Sequence, residues 1–230
     1  FTGAVTLSTT GSGGHAIIDN GTTALNLATS TVGGNLTLTS GHYIIDSSTV
    51  TVGGNLIATT DAANGSIHMD GLRVDGMVQL TTHGSGDATV VNDAGLTFLA
   101  STVRNLAATA TTGNIVDSSV LTVTGTSSFT TSKNNADIYL NNTNAFTGAV
   151  TISTTGSTGH ATIDNGTTAF NVAASSVGGN LTLTSGHASG ITDSGTVTVG
   201  GNLAATTDAN NGVINLGTLA VDGTVQLTTN

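Results

Sequence analysis

Residues Phe1–Gly11 read FTGAVTLSTTG and residues Phe146–Gly156 read FTGAVTISTTG, so the chain restarts itself at Phe146 with one conservative change. Fainter copies lie at Val74–Thr82, VDGMVQLTT, and at Val221–Thr229, VDGTVQLTT. Placing Val5, Val78, Val150 and Val225 at one position gives three nearly equal steps of about 73 residues, and a period this constant marks a repeat architecture. The chain reads as one repeat array over residues 1–230, an excerpt from a longer solenoid. Its long repeat spans 1–145, and 146–230 is an incomplete second copy.

A shorter beat runs inside the long one. Strand openings of the form apolar-x-apolar recur at Val5, Leu36, Leu56, Val78, Leu106, Phe129, Val150, Leu181, Leu203 and Val225, at steps of about 20–31 residues. Period-two alternation of apolar and small polar residues predicts strands with one buried face. Coils of this length fit a parallel β-solenoid in which each turn is built from short strands. Three strands are expected per coil, as in Asn35–Thr39, Tyr43–Asp46 and Thr49–Val52. Ser40-Gly41, Ser47-Ser48 and Gly53-Gly54 punctuate them, read as turns that need positive φ or bond their own backbone.

Three stacked apolar columns follow. One is the ten openings above, placed in a single inward file. The next is Leu7, Leu38, Ala58, Leu80, Ala108, Thr131, Ile152, Leu183, Ala205 and Leu227. A third, from the second strand, is Ile18, Ile45, Met69, Val91, Val116 and Ile163, and Phe98 is read in register with Phe170 and Leu25. Two polar columns mark corners. Asn35, Asn55, Asn105, Asn180 and Asn202 precede first strands and read as a ladder of amides bonded along the axis. Asp19, Asp46, Asp70, Asp117, Asp164 and Asp193 close second strands. Turn amides are the preferred partners of their carboxylates, over a bound cation.

Composition narrows the function. There is no cysteine or proline, and all 13 acidic residues are Asp. Without cysteine there is neither a disulfide scaffold nor a thiolate metal site. A net charge of −10 with only Arg73, Arg104 and Lys133 as basic residues argues against nucleic acid and against anionic lipid. No run of about 20 apolar residues is present to cross a bilayer as a helix, and no signal peptide is evident.

The GGNLTLTSG and TVTVGGNL motifs, over coils of about 20 residues, resemble the filamentous-haemagglutinin-type repeats of giant bacterial surface adhesins. The resemblance covers essentially the whole chain. It implies a right-handed parallel β-helix, secretion from a Gram-negative cell, and a role in attachment or extracellular matrix.

Candidate chemistry is sparse. His15 and His42 share the frame His-x-Ile-Ile-Asp, so they are read as neighbours on adjacent coils, able to offer two ligands to Zn²⁺ or Cu²⁺. A stable site needs a third or fourth ligand, and exposed turn histidines are the preferred reading. The Gly-Gly pairs lead to Asn-Leu without the Asp of a calcium roll, leaving only adventitious calcium on surface Asp. Gly11-Ser12-Gly13-Gly14 is followed by no helix and no Lys, so it is a turn and not a phosphate cradle. A polysaccharide-active enzyme needs facing carboxylates in a cleft, and no coil departs from the pattern to build one. An ice-binding lattice needs paired Thr columns, and only one outer column is unbroken Thr/Ser. Asn-x-Thr sequons at Asn20, Asn35, Asn141, Asn165 and Asn180 read as chance matches in a chain rich in Asn and Thr, those at ladder positions as turns.

The sequence thus predicts an all-β parallel β-helix of about ten coils, right-handed as the resemblance implies, with no catalytic, cofactor or metal residues. Its expected role is a rod-like segment of an extracellular fibre. The partners expected are neighbouring coils, other copies or a surface ligand, without nucleic acid or membrane insertion.

Overall fold

The computed structural model describes residues 1–230, the side chain of Ala63 excepted. It is a parallel β-solenoid of about ten turns with no helix. Two long sheets form its flanks. The first runs through eleven rungs from Ala16–Asp19 to Val225–Thr229, and the second through ten rungs from Leu25–Leu27 to Ile214–Asn215. Every strand pairing is parallel, each rung bonding to the turns below and above. Ten intervals of about 4.8 Å make a rod roughly 50 Å long.

Alternation sets what is inside. Leu36–Ser40 and Leu106–Ala110 bury every second residue and turn the others outward. The inward side chains of both sheets form one continuous apolar cluster. Phe98, Phe129, Phe146 and Phe170 are its largest fully buried members, and the Phe129 and Phe146 rings meet edge-on at 5.4 Å.

The single inward file of strand openings is in fact two files. Leu36, Leu56 and Val78 stack in the first sheet, as do Leu181, Leu203 and Val225. Leu106, Phe129 and Val150 lie in the second sheet, and Val5 bridges to it through Leu27. The shorter steps between openings are single coils. The three longer ones, from Val5 to Leu36, Val78 to Leu106 and Val150 to Leu181, are a coil and a half, and they carry the motif across the rod. Each long-period copy therefore takes about three and a half coils. Successive copies face opposite ways, and two copies together restore the face.

Three register readings change with it. Leu106 is opposite Ser127, and Phe129 is opposite Ala108, two residues from the expected place. Phe98 stacks on Val78 as Leu27 does on Val5 and Val172 on Val150, so it matches these and not Phe170. Ile45, Val91 and Val116 point outward, while their neighbours Ile44, Val90 and Ile115 are fully buried. A slip of two keeps the face and is invisible to a period of two, whereas a slip of one reverses it.

The third strand of the coil is not continuous along the rod. It comes in strips about four rungs long, one per long-period copy, on alternating flanks. A strip begins where one long strand forks. Met77–His83 pairs at Val78 with Phe98 but at Thr81 with Thr102, so the upper coil holds one extra residue between the two contacts. That extra residue deprives Leu80 of a main-chain partner, and its N–H donates to the Ser101 hydroxyl at 3.0 Å. Ser101 in turn donates to the Leu99 carbonyl at 2.9 Å. Ser30 does the same for Leu7, and Ser175 for Ile152, both at 3.0 Å.

A strip ends where two strands merge again. Asn92 is completely buried, and its amide imitates a strand residue. Its Oδ1 accepts the Val74 N–H at 2.8 Å and its Nδ2 donates to the Val74 carbonyl at 3.0 Å. Asn165 pairs with both groups of Phe146 at 2.7 and 3.1 Å, and Asn20 occupies the same place beside Phe1. Replacing Asn92 by Ala leaves a buried N–H and C=O of Val74 unpaired, at about 1–3 kcal/mol for each group. Asn92→Ala is expected to lower the unfolding midpoint clearly more than Asn105→Ala at an exposed corner, and to expose the Val74 amide to hydrogen exchange. Equal midpoints and an unchanged Val74 amide would contradict the capping role.

Candidate functional site

The recurring polar residues cluster at the corners, so the search for a site begins there. Asn35 Oδ1 accepts the backbone N–H of Asn55 one coil on, at 2.9 Å, and Asn55 Oδ1 accepts that of Met77 at 2.9 Å. Asn180 and Asn202 continue the pattern to Asn202 and Thr224 at 2.8 and 2.9 Å. The expected amide-to-amide ladder is therefore a side chain-to-backbone spine. His15 and His160 take the same role, each Nδ1 accepting the N–H of Asn35 or Asn180 at 2.8 Å.

This spine explains the Gly-Gly-Asn motif. None of the four Gly-Gly pairs that precede Asn has positive φ, so conformational freedom is not what the motif needs. A Cβ on Gly54 would collide with the side-chain oxygen of Asn35, and one on Gly201 with that of Asn180. The second glycine leaves the space through which the preceding coil reaches the next amide.

Five of the six Asp in the column divide into two roles, and the sixth, Asp70, is exposed beside His68 at 3.4 Å. Asp19 and Asp164 accept the N–H of Gly21 and Gly166 within their own turns, both at 2.8 Å. Asp46, Asp117 and Asp193 each use both oxygens on successive amides of the next coil. Asp46 holds Asp70 and Gly71 at 3.0 and 2.9 Å, Asp117 holds Asn141 and Asn142, and Asp193 holds Gly217 and Thr218 at 2.8 and 2.7 Å. These carboxylates brace the bend between a sheet strand and the third strand.

His15 and His42 are not neighbours. His15 stands at a corner of the first sheet, and His42 leads into Ile44 of the second, edge-on to Tyr43 at 4.2 Å. Their shared frame reflects the half-coil offset. Among the described residues no three His, Cys, Asp or Glu side chains converge as a metal cluster. Arg73 pairs with Asp93 at 3.0 Å and Arg104 with Asp87 at 3.5 Å, both in solvent, where such pairs contribute about 0–1 kcal/mol. Of the sequons, Asn20 and Asn165 are buried caps, and Asn35 and Asn180 are spine residues.

Two surface grooves remain. One of about 470 Å³ is lined by Asn144, Ala145, Asp164, Gly166, Thr167 and Asp208 among others. The second, about 200 Å³, includes Leu72, Arg73, Val91 and Asp93. They occupy equivalent places in successive repeats, Leu72-Arg73 matching Asn144-Ala145 and Asp93 matching Gly166. Each is the ledge left where a third-strand strip stops at Val74 or Phe146. Because an ion pair lines one and Ala and Gly the other, the shape recurs but the chemistry does not.

The period is independently matched. Residues 13–81, 85–153 and 158–228 each match one copy of a family described as repeats of unknown function (DUF5649). The chain belongs to that family. No curated protein and no solved structure matches it. The starts of the DUF5649 copies keep the interval of the long period. Each copy thus corresponds to three and a half coils and contains one fork serine and one capping asparagine.

Two predictions test these corners. Gly201→Ala is expected to cost about 1–3 kcal/mol through overpacking. In a cycle with Asn180→Ala the double variant should fall short of additivity, since both act on one contact; strict additivity in urea unfolding would refute the shared space. The second concerns acidity. Burial, together with the nearby Asp70 carboxylate, lifts Asp46 above the usual 3.8, and the Gly71 and Asp70 amides only partly offset it. At Asp193 burial is again the largest single influence and acts upward, but the amides of Gly217 and Thr218 and the Thr218 hydroxyl outweigh it and hold the carboxyl below 3.8. By linkage, Asp193 stabilises the fold above its unfolded pKa, and that contribution is lost as pH falls through its lower folded value. Asp46 has the opposite sign: its contribution is fully present below its unfolded pKa and lost as pH rises through its higher folded value. Carboxyl NMR titration should place the two midpoints on opposite sides of 3.8.

Proposed function

We propose that the chain is a mechanical element, a stiff spacer within a long secreted or cell-surface fibre of the filamentous-haemagglutinin kind, serving attachment or extracellular matrix in a Gram-negative bacterium. One observation carries this reading. The corner asparagines, the fork serines, the capping asparagines, Asp46, Asp117 and Asp193, and the spine histidines each bond the backbone of an adjacent coil. Residues that brace the stack so consistently favour a role in holding shape over one in chemistry. The reading therefore assigns no catalytic residue and no cofactor. The exposed Thr/Ser faces and the GGNLTLTSG motif favour the adhesin-type fibre among rods.

Two measurements test it. Small-angle scattering of the 230-residue chain should give a rod about 50 Å long. An antibody raised against the repeat should label intact cells of the source organism. Label confined to lysates would remove the surface role, and a globular scattering profile would remove the rod.

A further inference from the structure

We propose that His15 and His160 make two corners of the rod acid-labile: mild acid frees the Asn35 and Asn180 amides they hold, while corners held by asparagine stay closed. This is a property of the fold and stands apart from the spacer reading. The chain carries its own comparison. Four stretches read Gly-Gly-Asn-Leu, and in each the Asn N–H is accepted by a side chain one coil below. His15 and His160 accept the N–H of Asn35 and Asn180, both at 2.8 Å. One coil on, Asn35 and Asn180 accept that of Asn55 and Asn202 at 2.9 and 2.8 Å. A Cβ on Gly34 or Gly179 would strike the histidine Nδ1, as one on Gly54 or Gly201 would strike the amide oxygen. The receiving corner is the same in all four, and only the acceptor differs.

That difference is chemical. A backbone N–H can only donate, so Nδ1 of His15 and of His160 carries the lone pair and the ring proton sits on Nε2. An imidazolium holds a proton on both nitrogens and has no lone pair to offer. Protonation therefore turns each acceptor into a donor aimed at another donor. A side-chain amide undergoes no such change, and a carboxyl keeps an accepting oxygen in either state. The middle long-period copy has the carboxyl: Asp87 stands where the others have His15 and His160, and accepts the Asn105 N–H at 3.2 Å. Histidine is the side chain whose charge changes between about pH 5 and 8. His15 is exposed and His160 half-buried, so protons reach both without opening the core. Backbone bonds beside the contact, from the Gly34 N–H to Gly14 and from the Ala16 N–H to Asn35, confine the release to the corner.

Few charges surround these rings. The overlying turns are Gly33-Gly34 and Gly178-Gly179, and the turn leading into His15 is Gly11-Ser12-Gly13-Gly14. Asp19 and Asp164 stand at the far ends of the following strands, bonded to Gly21 and Gly166. Asp137 faces His160 from the coil below, its Oδ1 on the His160 backbone N–H at 2.8 Å, and Lys133 stands in the turn before Asp137. Among the described residues neither ring forms an ion pair, and His68, beside Asp70 at 3.4 Å, is the one histidine that does. The remaining histidines supply controls. His83 Nδ1 meets the Thr60 carbonyl at 2.7 Å, so it donates, and protonation leaves that bond in place. His187 accepts the Ser189 N–H within its own turn and ties no coil to the next.

Amide hydrogen exchange of the whole chain, followed by NMR between about pH 8 and 5 and expressed as protection factors, tests the proposal. Protection of the Asn35 and Asn180 amides is expected to fall about tenfold on acidification, while that of Asn55, Asn105 and Asn202 holds. His15→Asn should abolish the fall at Asn35 alone, and His160→Asn the fall at Asn180 alone. Imidazole nitrogen shifts at the alkaline end should place the proton on Nε2 of His15 and His160 but on Nδ1 of His83. Circular dichroism confirms that the chain and both variants stay folded across the range. Protection at Asn35 and Asn180 that ignores pH would overturn the proposal. So would an equal fall at Asn55 and Asn202, a proton on Nδ1 of His15 or His160 at the alkaline end, or a fall that survives in the variants. None of these outcomes alters the length of the rod, so scattering decides the spacer reading separately.

Discussion

A parallel coil can rest on the next only if every main-chain N–H and C=O between them finds a partner, because a buried unpaired group costs about 1–3 kcal/mol. Within straight strands the ladder supplies those partners. At corners, forks and mergers it does not, and the polar residues of this chain stand at those places. A serine hydroxyl fills the gap at a fork, an asparagine amide replaces the missing residue at a merger, and an aspartate holds the two amides of a bend. Leucine and valine make the rod cohere, but these three residue types permit its cross-section to change.

That change is what makes the long repeat long. A uniform solenoid would need only the coil as its unit. Here a strip of third strand opens and closes once per repeat, and opening and closing require different side chains. Ser30, Ser101 and Ser175 mark openings, and Asn20, Asn92 and Asn165 mark closures. The two grooves follow from the same event, since a wall that steps inward leaves a ledge.

The strands, the coil length, the stacked inward leucines and the all-β class are legible in the sequence because alternation is a strong local signal. Leu36, Leu56 and Leu181 do share a flank. The half-coil offset is not legible, because the repeat interval alone does not say which flank a copy occupies. Phe129 lies two places and Val91 one place from its expected register for a related reason: in short strands of Val, Thr and Ala, neighbouring registers look alike. The fork serines and capping asparagines each recur once per long-period copy, a signal present in the sequence. In a chain this rich in Ser, Thr and Asn it is masked by chance matches, and only burial separates Asn92 from its surface counterparts. Gly-Gly-Asn is visible as a motif while its cause is not, since steric clearance and positive φ both select glycine.

The half-integer repeat also has a consequence for shape. A coil with a third strand is wider on the flank that carries it. Were every strip on one flank, the added width would accumulate there and the axis would curve. The strips instead alternate, beginning at Ser8–Thr31 on the second sheet, at Thr81–Thr102 on the first and at Ser153–Ser176 on the second. Each strip is followed three and a half coils later by one on the other flank. A repeat of whole coils could have the same core and the same hydrogen bonds with every strip on one flank, whereas the extra half coil shares the strips between both flanks.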